Sequence, residues 1–304
     1  MISATSLSKR YGDRLAVDDL TFEAPPGMVT GFLGPNGAGK STTMRLMLGL
    51  DHGGGSTLFG GRRFGTIRHP MREIGAVLEA RAFHPARTAR NHLRMLAAGS
   101  GIPYARVEEV LEFVELQNVA GKGPRTFSLG MAQRLGLAQA MLGDPGTLIL
   151  DEPANGLDPE GIRWLRGFLR HLSGEGKTIL VSSHMLQEVE QTVDDVVIIA
   201  NGRLIKQGPI QELHGEATAL VRSADPTTLA QALDRAGLAS SPIEDGALTV
   251  HSGDLRQIGE VALAAGVAVH ELRGKDADLE ALFFQLTEAP ENANRNLTTT
   301  EGVA

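Results

Sequence analysis

The sequence predicts an α/β protein organised on a phosphate-binding loop, with an antiparallel β subdomain, a helical subdomain and a small C-terminal α+β domain. Three observations carry this expectation. Short apolar runs that read as buried strands alternate with amphipathic helical stretches between Val29 and Ala200. The segment Gly34-Pro35-Asn36-Gly37-Ala38-Gly39-Lys40-Ser41 fits G-x-x-x-x-G-K-[ST]. From about Gly215 onward the strands and helices continue, but no phosphate loop occurs.

Composition fits this outline. The chain has 304 residues, 42% hydrophobic and 21% charged, which suits a soluble globular protein of two domains. A net charge of −7 argues against generic nucleic-acid binding. With no cysteine there is neither a disulfide nor a thiolate metal site. Met1-Ile2-Ser3-Ala4-Thr5 lacks the charged-then-apolar layout of a signal peptide. No apolar run approaches the ~18 residues a membrane span needs. A membrane role is therefore expected only through another chain.

Residues 2–8 and 15–23 alternate apolar and polar and read as antiparallel strands around a turn at Gly12-Asp13. Tyr11 lies at that turn. Its ring can stack on an adenine, or it is an amphipathic tyrosine on a strand edge. Val29-Thr30-Gly31-Phe32-Leu33 is a buried strand leading into the glycine loop, and Ser41–Leu50 has helical apolar spacing. Strand, glycine loop and helix start form the context in which backbone N–H groups and a helix N-terminus hold phosphate. Lys40 is placed to pair with the β- and γ-phosphates, and the Ser41 hydroxyl to ligate Mg²⁺. A loop at Gly53-Gly54-Gly55-Ser56 precedes a strand at Thr57-Leu58-Phe59, and Ile74–Leu78 is a further buried strand. Glu79 follows at its C-terminal edge, where ligands lie in parallel sheets. It is either a carboxylate for Mg²⁺ or for an attacking water, or a solvated loop glutamate.

Residues 80–122 carry helical i, i+3, i+4 apolar spacing at 91–98 and 107–114. Here His84, Arg87, Arg90 and His92 are expected on a solvated face. Phe127–Arg134 reads as a polar turn feeding a helix from Leu135 to Leu142. Ser128 is a helix cap or, with the same exposed N–H groups, an anion holder. Thr147–Leu150 is an apolar strand ending in Asp151-Glu152. Adjacent carboxylates there must be desolvated or repel, so they make a poor structural feature. Asp151 suits the water shell of Mg²⁺, and Glu152 suits polarising a hydrolytic water. A turn at Asn155–Pro159 caps a helix over 159–173. A strand over 178–183 ends at His184, within reach of a γ-phosphate. A helix over 185–192 and a strand over 195–200 follow. Asn201-Gly202 then makes a hairpin into 203–208.

Beyond Gly215, strands at 219–222, 248–251 and 267–272 alternate with helices at 227–236, 254–265 and 276–287. The polar, Asn- and Thr-rich stretch 288–304 is expected to be disordered.

The order of these motifs resembles the ATP-binding subunit of ABC transporters over about residues 2–214. The fold is thus expected to be a P-loop NTPase of the ABC ATPase type, with a helical insertion at about 80–142 and an accessory domain at 215–287. The resemblance implies roles for particular residues. Tyr11 matches the aromatic loop that stacks on adenine. Gly34, Asn36, Gly37, Ala38, Gly39, Lys40, Ser41 and Thr42 match Walker A. Ser128 and Gly130 belong to the signature loop, which contacts ATP bound by a second subunit. Leu148–Glu152 match Walker B, Gly156-Leu157-Asp158 the D-loop, and His184 the switch histidine.

Two positions depart from the family pattern. Glu79 replaces the Q-loop glutamine. In the signature loop a usual glycine is Leu129 and the usual glutamine is Met131. Both departures resemble the branch that exports drugs and peptide antibiotics, whose subunits pair with separate permeases of the ABC-2 type. What the resemblance implies is an ATPase that uses ATP and Mg²⁺, with Ser41, Glu79 and Asp151 at the metal. It would be paired with itself or a paralogue, peripheral at the cytoplasmic membrane face, and would couple dimer closure to export. A soluble ABC-type ATPase acting on ribosomes or DNA is the alternative. It is disfavoured by the single Walker A and by the lack of sustained heptads over 40–130. A P-loop kinase or GTPase has no use for a signature loop.

Overall fold

The structure, a computed structural model, describes residues 1–79, 83–84, 87–184, 190–213, 218–243 and 246–275. The helix expected over 276–287 and the tail from 288 lie outside the described residues. So do the 214–215 boundary and most of the helix expected over 185–192. Two compact units are present, one over Met1–Ile210 and one beginning at Gln211.

The first unit is built on two sheets. Strands β1 (Ile2–Tyr11), β2 (Arg14–Ala24) and β4 (Gly54–Phe59) form an antiparallel sheet in the order β2-β1-β4. The strand expected at Thr57 begins at Gly54, because Gly54 pairs with Ser8 and Ser56 with Thr5 of β1 across an irregularity in the register. At Gly55 any side chain would collide with the carbonyls of Thr5 and Ser6, at 2.4 Å from a Cβ. Glycine therefore lets a strand run where composition suggests a loop.

The second sheet holds β3 (Val29–Leu33), β5 (Ile74–Val77), β6 (Thr147–Leu150), β7 (Thr178–Ser183), β8 (Asp195–Ala200) and β9 (Arg203–Pro209) in the order β5-β6-β7-β3-β8-β9. All neighbours are parallel except β8 and β9. β3, β6, β7 and β8 are almost entirely buried and accordingly mostly apolar, with Thr30, Thr147, Thr178, Ser182, Ser183 and Asp195 as the polar exceptions. Phe22 of β2 and Phe32 of β3 pack with ring centroids 5.1 Å apart, joining the two sheets into one core. This topology has one consequence for function. The segments after β3, β5, β6 and β7 all leave the same C-terminal sheet edge, where parallel sheets bind ligands.

Helix α1 (Lys40–Met47) follows β3. Helices α2 (Ala89–Gly99), α3 (Ala105–Phe113) and α4 (Leu129–Met141) form the helical region between β5 and β6. Helix α5 (Pro159–Gly174) lies between β6 and β7. α4 starts six residues before the expected Leu135, with Ser128 Oγ accepting from Met131 N at 3.2 Å. Gly130 and the polar pair Gln133-Arg134 interrupt its first six residues, so the apolar period becomes visible only from Leu135. Against expectation His92 is buried. Its Nε2 lies 2.9 Å from Gln139 Oε1, and its ring meets Phe83 edge-on at 5.2 Å. Arg90 is on the surface as expected, paired with Glu108.

The second unit opens with a short helix, α6 (Ile210–Leu213), that starts at the junction. Its order is β10 (Thr218–Ser223), α7 (Pro226–Arg235), β11 (Ser240–Pro242), β12 (Ala247–Val250), α8 (Leu255–Ala264) and β13 (Val269–Lys275). The strands form an antiparallel sheet in the order β11-β12-β10-β13, the split βαβ arrangement. Ala219, Val221, Leu248 and Val250 of the sheet pack against Leu229 and Leu233 of α7 and Ile258 and Ala262 of α8. β11 has the sequence Ser-Ser-Pro, which carries no apolar alternation and was not expected as a strand.

Candidate functional site

The glycine loop between β3 and α1 owes its shape to positions that exclude side chains. Gly39 caps α1 at φ +107°, and a Cβ there would lie 2.5 Å from Ala16 O. At Gly34 a Cβ would lie 2.5 Å from Ile199 O. Gly34 and Ala38 are buried beneath the loop. Tyr11, Asn36, Gly37, Gly39, Lys40, Ser41, Thr42 and Glu152 come together around a cavity of about 380 Å³. α1 has no side-chain cap, so the N–H groups of its first turn are free of one and suit an anion.

Lys40 is buried and points back across the loop. Its Nζ donates to Gly34 O at 2.7 Å and Pro35 O at 3.3 Å, and pairs with Glu152 Oε1 at 3.2 Å. The other carboxylate oxygen, Glu152 Oε2, lies 2.6 Å from His184 Nδ1. Residues from the start of α1 and from just beyond β6 and β7 thus make one chain, Lys40–Glu152–His184. Glu152 itself sits at φ +49°, a conformation that costs a non-glycine residue energy.

Ser182 supports this arrangement. It is buried on β7, donates from Oγ to Asp151 Oδ1 at 2.5 Å, and accepts from Glu152 N at 2.8 Å. One hydroxyl therefore fixes both carboxylate residues, yet nothing in the sequence marks it beyond a serine two positions before His184. Arg14 was also missed. It lines the cavity and donates to Gly37 O at 3.3 Å. Its only signal is a basic residue opening β2.

At the rim, Tyr11 Oη donates to Asp51 Oδ2 at 2.9 Å, and Asp51 is gripped by Arg45. Partial desolvation first, and then the Asp51 carboxylate, hold the Tyr11 hydroxyl above its usual pKa. Hydrogen bonds from Arg45 and then Tyr11 hold Asp51 below the usual carboxylate range. The ring is anchored at its hydroxyl end while half of it stays exposed, and Lys9 Nζ stands 4.8 Å from its centroid.

The remaining expected residues lie elsewhere. Ser128, Gly130 and Asp158 line a different cavity of about 260 Å³, with Arg134 and Trp164 on its wall. Arg134 Cζ sits 4.2 Å from the Trp164 ring centroid. Asp158 Oδ1 accepts from Gly161 N at 2.9 Å and caps α5. The departure at Leu129 has a packing reason: a Cβ on Gly156 would lie 2.4 Å from Leu129 Cδ2, so this leucine fills the space beside the turn. Gln133 Nε2 donates to Asn155 O at 3.0 Å, and Asn155 N to Glu152 O at 3.1 Å. The start of α4 is thereby tied to the Glu152 turn. Glu79 stands exposed two residues beyond β5 and is not among the residues lining the glycine-loop cavity.

The donor chemistry fits a phosphate-borne Mg²⁺. Ser41 offers a hydroxyl and Asp151 a carboxylate, both oxygen ligands. Among the described residues no group of His, Cys, Asp and Glu could form a protein cage for a metal. A cation carried on substrate phosphates and water needs none. The glycine-loop cavity, with its helix N-terminus, buried lysine and exposed aromatic rim, fits a nucleoside triphosphate.

Comparison with known proteins agrees. A family described as ABC transporter matches residues 17–155, and one described only as a domain of unknown function matches 217–280. The chain is 44% identical over 217 residues to the bacitracin transport ATP-binding protein BcrA of Bacillus licheniformis, covering 70% of this chain and 71% of that one. It is 34% identical over 295 residues to BcrA of Enterococcus faecalis, covering 94% and 96%. A solved ATP-binding subunit of an ABC transporter superposes with a TM-score of 0.63 at 30% identity, covering 70% of this chain and 91% of that one. Likeness along nearly the whole length of a transport ATP-binding protein, joined to a glycine loop and carboxylate pair on one sheet edge, settles the kinship: this chain belongs to the family of ABC transporter ATP-binding subunits, ATPases that act on ATP with Mg²⁺.

Proposed function

We propose that this subunit powers export of a peptide antibiotic or related small molecule through a separate permease of the ABC-2 type. It would sit at the cytoplasmic membrane face through that permease. The observation that carries the two-subunit part is the separation of the site into two cavities of one chain. Ser128 and Gly130 line a cavity that Lys40 does not line, and serve a second copy or a paralogue. The cargo class rests on the names of the bacitracin transport relatives. Those names also favour transport over action on ribosomes or DNA.

The roles follow from the geometry. Bound MgATP supplies the phosphoanhydride bond that is broken and the cation that neutralises its charge. Lys40, Ser41, Thr42 and the loop N–H groups of Asn36 to Gly39 hold phosphate oxygens. To do so Lys40 exchanges its contacts with Gly34 O, Pro35 O and Glu152 Oε1 for the ligand, which frees that carboxylate oxygen. Asp151, steadied by Ser182, holds the metal side. Glu152 accepts a proton at a carboxylate oxygen from the attacking water, with His184 Nδ1 fixing the other oxygen. Tyr11 gives a face to the base. Glu79, exposed at the entry to the helical region, serves coupling to the permease rather than the metal.

Co-purification from detergent-solubilised membranes tests the reading. A multispanning partner that stimulates ATP hydrolysis is expected, and cells carrying both chains should tolerate more bacitracin than cells carrying either. Recovery with ribosomes and no membrane partner would overturn it.

A further inference from the structure

We propose that the sheet edge formed by β13 joins two copies of this chain without nucleotide. The contact goes beyond the ATP-driven pairing described above, because it lies wholly in the second unit. In the order β11-β12-β10-β13 the two edges differ. β11 is three residues long and ends in Pro242, which blunts an edge. β13 runs seven residues, Val-His-Glu-Leu-Arg-Gly-Lys, with no proline, and among the described residues it pairs only with β10. Among the described residues no strand pairs with its outer side, whose N–H and C=O groups suit a further strand.

Charge selects the occupant. The register places Arg222 opposite Glu271 and Leu220 opposite Arg273, while Val221 and Leu272 pair on the core side. Glu271 Oε2 lies 3.1 Å from Arg222 Nε, and Glu271 Oε1 lies 3.2 Å from Arg273 Nε. If β13 meets its own copy antiparallel about a two-fold axis at Leu272, each Glu271 faces Arg273 of the second copy. The row then reads Arg222, Glu271, Arg273, alternating in sign across the joint. An axis at Glu271 would oppose glutamates, and an axis at Arg273 would oppose arginines. The charges thus permit one register and disfavour its neighbours. Leu272, only half-buried at the edge, would meet its copy beneath α8, where a Cβ on Gly259 would lie 3.7 Å from Leu272 Cδ2. A second copy therefore extends the core of this unit, and no other partner is required by the pattern.

Sedimentation of the full chain without nucleotide tests this, with circular dichroism to confirm folding. A concentration-dependent dimer is expected. Arg273→Glu and Glu271→Arg should each weaken association about tenfold, because both cross-strand pairs become repulsive. Arg273→Gln, which removes attraction without adding repulsion, should fall between. An equal mixture of Arg273→Glu and Glu271→Arg should recover association, since every facing pair is again of opposite sign. A monomeric wild-type chain, or charge variants that associate like wild type, would overturn the proposal. So would a mixture that does not recover. Loss of ATP-induced dimerisation alone would count against the paired ATP sites and leave this contact standing.

Discussion

The glycine-loop cavity and the signature cavity are both built around helix starts, yet they are finished differently. α1 begins at Gly39 with no side-chain cap, and Lys40 lies buried beside it. α4 and α5 begin with Ser128 and Asp158, whose side chains already accept from Met131 N and Gly161 N. The first keeps its donors for an anion and adds a desolvated cation, so it suits tight phosphate binding. The second has used part of its capacity on its own helices and brings no lysine. It suits adding contacts to a phosphate already held by another subunit. On the proposed function, the difference means that one chain carries two unequal half-sites, the first for affinity and chemistry, the second for recognising a loaded partner.

Substitutions on the two sides sharpen that contrast. The largest effect is expected at Glu152→Gln, which keeps the shape but accepts no proton. Hydrolysis should fall by about 10²–10⁴-fold while ATP binding persists. Phosphate-release assays near wild type would remove Glu152 from its role. Lys40→Ala should weaken ATP binding itself by roughly 10- to 100-fold, the worth of charge-assisted hydrogen bonds. No other lysine occurs between Lys9 and Lys122 to replace it. Calorimetric titration with MgATP that finds unchanged affinity would contradict this. Ser182→Ala frees Asp151 and leaves Glu152 N unpaired, so turnover should drop about 10–100-fold with a raised Mg²⁺ requirement. ATP affinity should move little, and Ser182→Thr should restore part of the activity. A drop in stability alone, with an unchanged Mg²⁺ profile, would make Ser182 merely structural.

On the other side, Ser128→Ala should cost about 1 kcal/mol of stability through the lost cap. It should leave ATP binding by the isolated chain intact while weakening ATP-induced dimerisation. Weakened monomer binding would erase the distinction between the two cavities. The smallest effect in the isolated subunit is expected at Glu79→Gln, since Glu79 is exposed and apart from both cavities. Its effect should appear as altered stimulation by the permease. Abolished hydrolysis without permease would return Glu79 to the chemistry.

Much of this site was legible from the sequence, for a definite physical reason. A strand, a loop of fixed length and a helix start are local, so the G-x-x-x-x-G-K-S spacing determined the glycine-loop geometry before any fold was known. Apolar runs ending in Asp151-Glu152 and in His184 likewise announced buried strands with chemistry at their ends. The order of motifs along the chain carried the family resemblance. Other features depended on which distant segments lie side by side. Crossover order put β7 between β3 and β6, and so brought Ser182 against Asp151 and Glu152. Packing of the antiparallel sheet on the glycine loop set Arg14 against Gly37, and packing tied Gln133 to Asn155. The burial of His92 had the same origin, since it relies on Gln139, far along the chain, whereas the strand at Ser240–Pro242 relies on pairing with the nearby Leu248–Val250 rather than on a period of its own. The sequence by itself determined which residues could do the chemistry. The tertiary structure decided which of them share a cavity, because contact between remote residues is set by strand order and register, and local periodicity holds no record of either.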